Sequence, residues 1–414
     1  MRILLVTQYF HPENFKSNDM AFELARRGHD VTVLTGLPNY PGGKIYDGYG
    51  MFRRRVETVN GVKIIRVLVV PRGRGGGLRL ALNYYSYVLT ASVRAFFLAL
   101  RRRFDAVIVH ETSPITQGYP ALVVRKMQSI PMYFWVLDLW PESLESAGDI
   151  HNKRVLDYFA RVTCRMYDNS HKIFISSQGF RSSIVAKGDY GSRIEYFPNW
   201  AEDMFAAGRS VKRPDCLPQE GFIVMFAGNI GEAQDFESVM NAALLLRDDD
   251  VKLVLVGDGR RKEYVDRFIA EHELENTVFT LGRHPLESMP AFFASADVMM
   301  LSLKDEPIFS LTVPAKLQSY MAAGKPVVVM ASGEARRLVA EAECGLSVNA
   351  GDAEGLAEII RKMRQMPCVE LDKMGQNGFC YYKENFTLDK CMDHLCQMLI
   401  DGEKDRLQRK RNNS

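Results

Sequence analysis

The chain has 414 residues, too many for one ordinary hydrophobic core and enough for two domains of roughly 200 residues each. Apolar residues make up 47 % and charged residues 25 %, which is the usage of a folded globular protein and excludes a disordered or fibrous one. With 53 Lys and Arg against 50 Asp and Glu, the net charge of +3 supplies no global field for nucleic acid, so any anion site is local.

The chain opens with Met1 to Val6, an apolar run that meets polar Thr7 and Gln8 at once. It lacks the longer apolar region and cleavage site of a signal peptide and reads as a first buried strand. Short β-rich runs then alternate with helical patterns: Ile3 to Val6, a helix over Asp19 to Arg27, Val31 to Thr35, Ala106 to Val109, Met132 to Leu137 and Lys172 to Ile175. That rhythm predicts a parallel sheet covered by helices. Phe52 to Thr58 and Val62 to Leu68 flank Asn60-Gly61, a dipeptide that favours a two-residue hairpin turn. The longest apolar stretch, Leu78 to Leu100, is interrupted by Arg79, Asn83, Ser86, Ser92 and Arg94. A spanning helix wants about 20 residues with few or no charges, so this one is not expected to cross a membrane.

After Tyr196 the texture turns to Phe-Pro-Asn-Trp and then to a polar, Pro-containing stretch, Gly208 to Glu220, where a domain boundary is expected. The βα rhythm restarts with Phe222 to Ala227, Lys252 to Val256, Val278 to Leu281, Val298 to Leu301, Val327 to Met330 and Leu346 to Val348. The reading is α/β, with two Rossmann-like doubly wound parallel-sheet domains, residues 1–200 and 201–385. A C-terminal helix and basic tail, 386–414, is expected to pack back toward the first domain. The seven cysteines are scattered without a C-x-x-C pair, so neither a disulfide framework nor a zinc site is expected, and reduced thiols suit a cytoplasmic location.

No G-x-G-x-x-G follows the first strand and no G-x-x-x-x-G-K-S/T occurs anywhere, which disfavours NAD, FAD and P-loop chemistry. Glycines do follow strands in the second half, as Gly228-Asn229-Ile230-Gly231 and Gly257-Asp258-Gly259-Arg260-Arg261. Ligands of open α/β sheets sit outside the carboxyl ends of the strands, where glycine lets backbone N–H groups approach phosphate. Either pair alone reads equally as an ordinary turn. Together, with Arg260, Arg261 and Arg283 nearby in sequence, they mark the second domain as the anion-binding one, and a diphosphate as its ligand.

At these residues the chain resembles the retaining glycosyltransferases of the GT-B fold (family 4, group 1), whose two domains face each other across a cleft. The resemblance rests on Phe226-Ala227-Gly228-Asn229-Ile230, Leu255-Val256-Gly257-Asp258-Gly259, Leu281-Gly282-Arg283 and the string from Pro314 to Val328. In the first half it rests on Tyr9-Phe10-His11-Pro12 and Leu24 to Thr35. Asn39-Tyr40-Pro41 and Trp135 to Ser143 look like the subgroup that transfers amino or deoxy sugars in bacterial O-antigen and capsule assembly.

The chain departs from that family's pattern at several places. The family carries an Arg directly after the first-loop glycine and a Lys five further on, where this chain has Asn229 and Gln234, so Lys316, Arg260 and Arg261 are the candidate cations. The family's paired glutamates fall on Leu311 and Ser319 in register with Gly324. With a loop about four residues longer, Glu306 takes the donor-facing place, and Phe309, Ser310, Leu311 and Thr312 present backbone amides to donor sugar and phosphate. The family's His before the first-domain Asp is Leu137, leaving Asp138.

Transfer from a nucleoside diphosphate needs charge on the departing phosphate to be stabilised and an acceptor hydroxyl to be activated. Lys316, close to a predicted helix start, suits the first need; its bland alternative is a solvated helix lysine. Asp138 and Glu142 follow a buried strand and are the candidate acceptor-side carboxylates, or else an N-cap and a first-turn acid. Glu111 and His110 occupy the parallel place after the preceding strand. Glu306 is assigned to donor sugar hydroxyls. No D-x-D stands at a strand's carboxyl end, and Asp248 to Asp250 precede a strand, so no cofactor and no required metal is expected.

Arg72, Arg74, Arg79, Arg94 and Arg101 to Arg103 interleave with Leu78, Leu80, Leu82, Tyr84, Tyr85, Tyr87, Leu89, Phe96, Phe97 and Leu100. This segment, 72–103, reads either as a core helix with charged ends or as a peripheral contact with an anionic bilayer at the inner face of the cytoplasmic membrane. The expected activity is transfer of a sugar, with retention, from a nucleotide-sugar, UDP being the family's usual carrier, to a polyprenyl-linked acceptor. A nucleotide-sugar epimerase on the same fold and a non-catalytic assembly partner are the alternatives.

Overall fold

The computed structural model describes residues 1–73, 76–146, 150–206 and 211–412. Arg74 and the first residues of the Gly208 to Glu220 stretch lie outside them. The chain divides into two units, one comprising Met1–Ser176, Phe180–Phe197 and Met392–Ser414, the other Ser177–Gly179 and Pro198–Cys391. Against the expected boundaries near 200 and 385, the principal crossings fall at 197/198 and 391/392.

Unit 1 holds strands β1 (Arg2–Val6), β2 (Asp30–Gly36), β3 (Val56–Val59), β4 (Val62–Val67), β5 (Ala106–Glu111), β6 (Met132–Val136), β7 (Lys172–Ile175) and β8 (Ile194–Tyr196). Its helices are α1 (Lys16–Arg26), α2 (Gly77–Arg101), α3 (Tyr119–Gln128), α4 (Glu142–Ser146), α5 (Lys153–Asp168) and α6 (Phe180–Ala186). The sheet order is β3-β4-β2-β1-β5-β6-β7-β8, parallel except for β3. All six residues of β5 and all five of β6 are buried, as in a strand covered on both faces. Asn60 and Gly61 both take positive φ, 47° and 79°, which makes the turn between β3 and β4 the twist-matched hairpin type. That hairpin extends the main sheet, because β4 pairs in parallel with β2.

Unit 2 holds β9 (Phe222–Ala227), β10 (Val251–Val256), β11 (Val278–Gly282), β12 (Val298–Ser302), β13 (Val327–Met330) and β14 (Gly345–Val348), in the order β11-β10-β9-β12-β13-β14. Every pairing is parallel. Its helices are α7 (Phe236–Leu245), α8 (Lys262–Glu271), α9 (Met289–Ser295), α10 (Pro307–Ser310), α11 (Ala315–Ala322), α12 (Glu334–Glu341), α13 (Ala353–Gln365) and α14 (Cys368–Asn385). Asp235 and Asp352 start α7 and α13 by accepting from the Ser238 and Gly355 amides at 3.1 and 2.8 Å. Two apolar cores cover the sheet. One runs through Met225, Met299, Val329 and Tyr320, the other through Val224, Met300, Leu253 and Val328, so alternate residues of one strand serve opposite faces.

The last helix, α15 (Leu388–Asn412), leaves unit 2 and joins unit 1 from Met392 onward. There Met392, Leu395 and Leu399 are fully buried, and the carbonyl of Met398 accepts from the Tyr133 hydroxyl at 2.9 Å. Among the parallel strands of each sheet the order reverses between β1 and β5 in unit 1 and between β9 and β12 in unit 2. Those reversals open a crevice at the carboxyl edge, the place where open α/β sheets take ligands.

Candidate functional site

In unit 2 the loops after β9 and β12 meet at the reversal, since the Lys304 amide donates to Ala233 O at 3.0 Å. The loops after β9 and β10 also interlock. Gly228 and Gly257 take φ of +136° and +152°, and a Cβ on Gly257 would fall 1.8 Å from Gly228 O. This close approach is why the positions are glycine, and it changes the expected role of their amides. Gly228 N donates to Val256 O, Gly257 N to Gly282 O, Gly259 N to the Asp258 carboxylate and Gly231 N to Gln234 Oε1. Of the first loop, Asn229 keeps an amide with no acceptor among the described residues, and its side chain is exposed.

Lys316 lies in the first turn of α11. Its Nζ is buried without a hydrogen-bond partner among the described residues, stands 4.1 Å from the centroid of the Phe226 ring, and would be 3.4 Å from a Cβ at Gly228. Burial pulls its pKa down to about 7. The helix is pinned to the end of β9 by Tyr320, whose hydroxyl accepts from Ala227 N at 3.0 Å and donates to Ala227 O at 3.1 Å. The solvated-lysine reading of Lys316 therefore fails. An ammonium is stored beside a glycine loop and a helix start, with nothing of the described protein to neutralise it.

The expected amide array at Phe309 to Thr312 is corrected by the structure. The amides of Phe309 and Ser310 donate to Glu306 O, that of Leu311 to Ile308 O and that of Thr312 to Phe309 O, at 3.0 to 3.3 Å, so α10 consumes them internally. Among the described residues, the amides of Val313, Ala315 and Lys316, just before and within the first turn of α11, have no acceptor. Glu306 caps α10 with its backbone, and its half-buried carboxylate has no partner among the described residues. Ser319, on α11, donates back to Ala315 O. Arg261 is held by Glu237 at 2.5 Å and lies over the Tyr264 ring, whereas Arg260 and Arg283 are exposed without a carboxylate partner among the described residues. Arg283 follows β11, two strands from β9. Asp249 and Asp250 face Arg361 and Arg364, at 2.8 and 4.0 Å.

In unit 1 the carboxyl ends of β5 and β6 bring Glu111 and Asp138 together. Glu111 is fully buried and accepts from the amides of Ser113, Leu137 and Asp138 at 3.2 to 3.4 Å, which fixes the turn that carries Asp138. Burial and the neighbouring Asp138 raise Glu111 well above the ordinary carboxylate range. Burial raises Asp138 to about 6, opposed by a hydrogen bond from the Ser113 hydroxyl. Ser113 itself sits at φ 87° and accepts from Trp140 Nε1 at 3.1 Å. Glu142 is not paired with them; its carboxylate binds Lys187 and the Ser183 hydroxyl, which draws its pKa down against burial. His110 is a core residue, edge-on to Trp135 at 5.1 Å and pulled down to about 3 by burial, hence neutral.

Sequence reasoning missed Glu13. It is 3 % exposed and accepts from the amides of Phe10, Asn39 and Tyr40, tying the loops after β1 and β2; burial raises it to about 7. The segment 72–103 splits. Arg72 turns onto Tyr9 and Tyr40, while Tyr87 is buried and donates to Leu34 O. Leu78, Leu82, Tyr85, Leu89, Val93, Phe96, Phe97 and Leu100 form an exposed stripe at helical spacing along α2, which has no acidic residue. Among the described residues no helix is long and apolar enough to cross a membrane.

Residues 17–200 match the family model of the glycosyl transferase 4-like domain and residues 211–379 that of glycosyl transferases group 1. The putative colanic acid biosynthesis glycosyl transferase WcaI of Escherichia coli K12 is 25 % identical over 80 % of this chain and 83 % of its own. The GDP-mannose-dependent alpha-mannosyltransferase of Mycolicibacterium smegmatis is 25 % identical over 84 % of each chain. Among solved structures, sucrose-phosphate synthase from Thermosynechococcus elongatus superposes with a TM-score of 0.76 at 15 % identity, covering 97 % of this chain and 98 % of that one. Anabaena Alr3699/HepE in complex with UDP gives 0.70 at 15 %, covering 97 % and 100 %. The fold is GT-B, and none of these relatives is an epimerase.

Proposed function

The chain is a glycosyltransferase, a 4-like domain followed by a group 1 domain, and we propose that it moves a hexosyl or N-acetylaminosugar unit, with retention, from a UDP-linked donor to a polyprenyl-linked saccharide in bacterial surface-polysaccharide assembly. The observation that carries the donor half is the buried, unpartnered Lys316 ammonium beside Gly228 and the first amides of α11. A diphosphate placed there meets one full charge and the positive end of a helix, which is the stabilisation a departing phosphate requires. The solved relative bound to UDP supports the choice of nucleotide, and the GDP-mannose-dependent relative makes GDP the competitor to test.

In the reaction the bond from the anomeric carbon to the β-phosphate oxygen breaks, and its electron pair leaves with UDP. The acceptor oxygen forms the new bond on the same face of the sugar, and its proton passes to Asp138, which is ionised above pH 6. Glu306 takes donor hydroxyls. Glu111 acts on this step by positioning the Asp138 turn. On the acceptor side, the α2 stripe with Arg79, Arg101 and Arg103 beside it suits the surface of an anionic bilayer at the inner face of the cytoplasmic membrane, where a polyprenyl-linked acceptor resides.

The test is thermal stability against UDP, GDP, CDP and ADP without added metal. A ligand at 100 times its Kd adds about 2.7 kcal/mol. UDP alone should shift the wild type, and Lys316→Ala should lose the shift. A response to GDP moves the donor to a GDP-sugar, and no response to any nucleotide overturns the donor site.

A further inference from the structure

Resting on the transferase reading above, we infer that Arg72 is a recognition group for the acceptor, and that the acceptor carries an anionic substituent, a phosphate ester or a carboxylate, on the sugar that receives the new bond. Arg72 follows β4, and its guanidinium lies 5.8 Å from the centroid of the Tyr9 ring and 5.2 Å from that of Tyr40, residues of the loops after β1 and β2. Tyr9, Phe15 and Tyr40 pack on one another with centroids 5.5 Å apart and form the collar beneath it. One guanidinium nitrogen donates to the Tyr9 hydroxyl at 3.1 Å.

Several arginines of this unit are matched with acids: Arg2 with Asp105, Arg27 with Glu23, Arg66 with Glu57 and Arg102 with Asp30. Arg72 has no carboxylate within ion-pair distance among the described residues. The nearby acid, Glu13, already serves three backbone amides. A guanidinium has five N–H donors in a planar fork, and this one spends a single donor on Tyr9, which leaves the fork open to a bidentate anion.

The fork also lies on the reacting edge. Tyr84 of α2 feels the charges of both Arg72 and Asp138. Asp138 follows β6, two strands from the β1 loop that supports Arg72, which is about 10 Å by strand spacing. A hexose with its hydroxyl at Asp138 and a phosphate on its anomeric carbon, or a carboxylate at its C6, extends along that edge toward the fork.

Calorimetry on the full chain saturated with UDP, so that the Lys316 site is filled, distinguishes the two sources. The probes are inorganic pyrophosphate and glucuronate. One of them should bind the wild type, bind Arg72→Gln at least tenfold more weakly, and bind Arg72→Lys with intermediate affinity, because lysine keeps the charge and loses the fork. Pyrophosphate as the ligand assigns a phosphate ester, and glucuronate a uronic acid. Failure of both probes in the wild type, or equal affinity in Arg72→Gln, overturns the inference. UDP affinity, read first in each protein, separates that result from failure of the donor site. An Arg72→Gln protein with a lowered melting midpoint and unchanged probe affinity would mark Arg72 as a structural staple.

Discussion

Replacing Lys316 by methionine should stabilise the empty protein while abolishing its donor site. Folding takes the ammonium from a pKa of 10.5 to about 7, which corresponds to about 5 kcal/mol at 1.36 kcal/mol per unit. A group whose folded pKa is depressed binds fewer protons folded than unfolded. Its cost is therefore fully present below pH 7 and is relieved as pH rises toward 10.5. At pH 7, with half the folded molecules protonated, the cost is about 4 kcal/mol. Methionine removes it but also removes the cation over Phe226, a desolvated contact of roughly 2 kcal/mol, so the net gain in the unliganded variant is about 2 kcal/mol. Binding of a diphosphate should recharge the lysine. At pH 8 the wild type should take up about 0.9 proton per UDP, seen as a calorimetric enthalpy that changes with the ionisation enthalpy of the buffer, and Lys316→Met should take up none. A variant no more stable than the wild type that still binds UDP, or binding without proton uptake, would refute the reasoning.

Asp138→Asn should lower kcat by 10² to 10⁴ with UDP affinity unchanged, and wild-type kcat/KM should climb as pH rises through about 6 because the raised carboxyl must ionise to accept a proton; a profile that survives the substitution places the base elsewhere. Leu89→Asp with Phe96→Asp, at positions 68 % and 45 % exposed, should abolish co-sedimentation with phosphatidylglycerol vesicles and leave the melting midpoint within a degree or two. Gly257→Ala forces a Cβ to 1.8 Å from Gly228 O and should cost about 3 kcal/mol in denaturant unfolding; a loss below about 0.5 kcal/mol would show that the two loops separate easily.

Most of the architecture was legible because parallel strands buried on both faces spell near-continuous apolar runs, as in Met132 to Val136. The three-residue β8 is too short to carry a period, and it went unread. The glycines after β9 and β10 were rightly singled out as places of close approach, but what approaches is the other loop's backbone, a pairing between residues 29 apart that no local pattern encodes. Lys316 was legible by its place at a helix start, whereas its burial depends on Phe226 of β9. Glu13 was invisible for the same reason. A glutamate in a polar loop reads as solvated until Asn39 and Tyr40, 26 and 27 residues on, bring their amides to it. Arg72 was grouped with the basic flank of α2 because sequence proximity cannot show that the chain turns it onto Tyr9 and Tyr40.

The return of α15 to unit 1 bears on how the protein is made. The first unit lacks Met392, Leu395 and Leu399 until the segment from Pro198 to Cys391 has been synthesised, and until then the Tyr133 hydroxyl is without the carbonyl of Met398. The second unit, whose segment from Pro198 to Cys391 is synthesised in one piece, is complete before the first unit receives α15, although the first unit's strands are made earlier. The N-terminal half of the sequence is thus the later half to be completed, and a nascent chain halted before α15 should expose a protease-sensitive first unit beside a resistant second one.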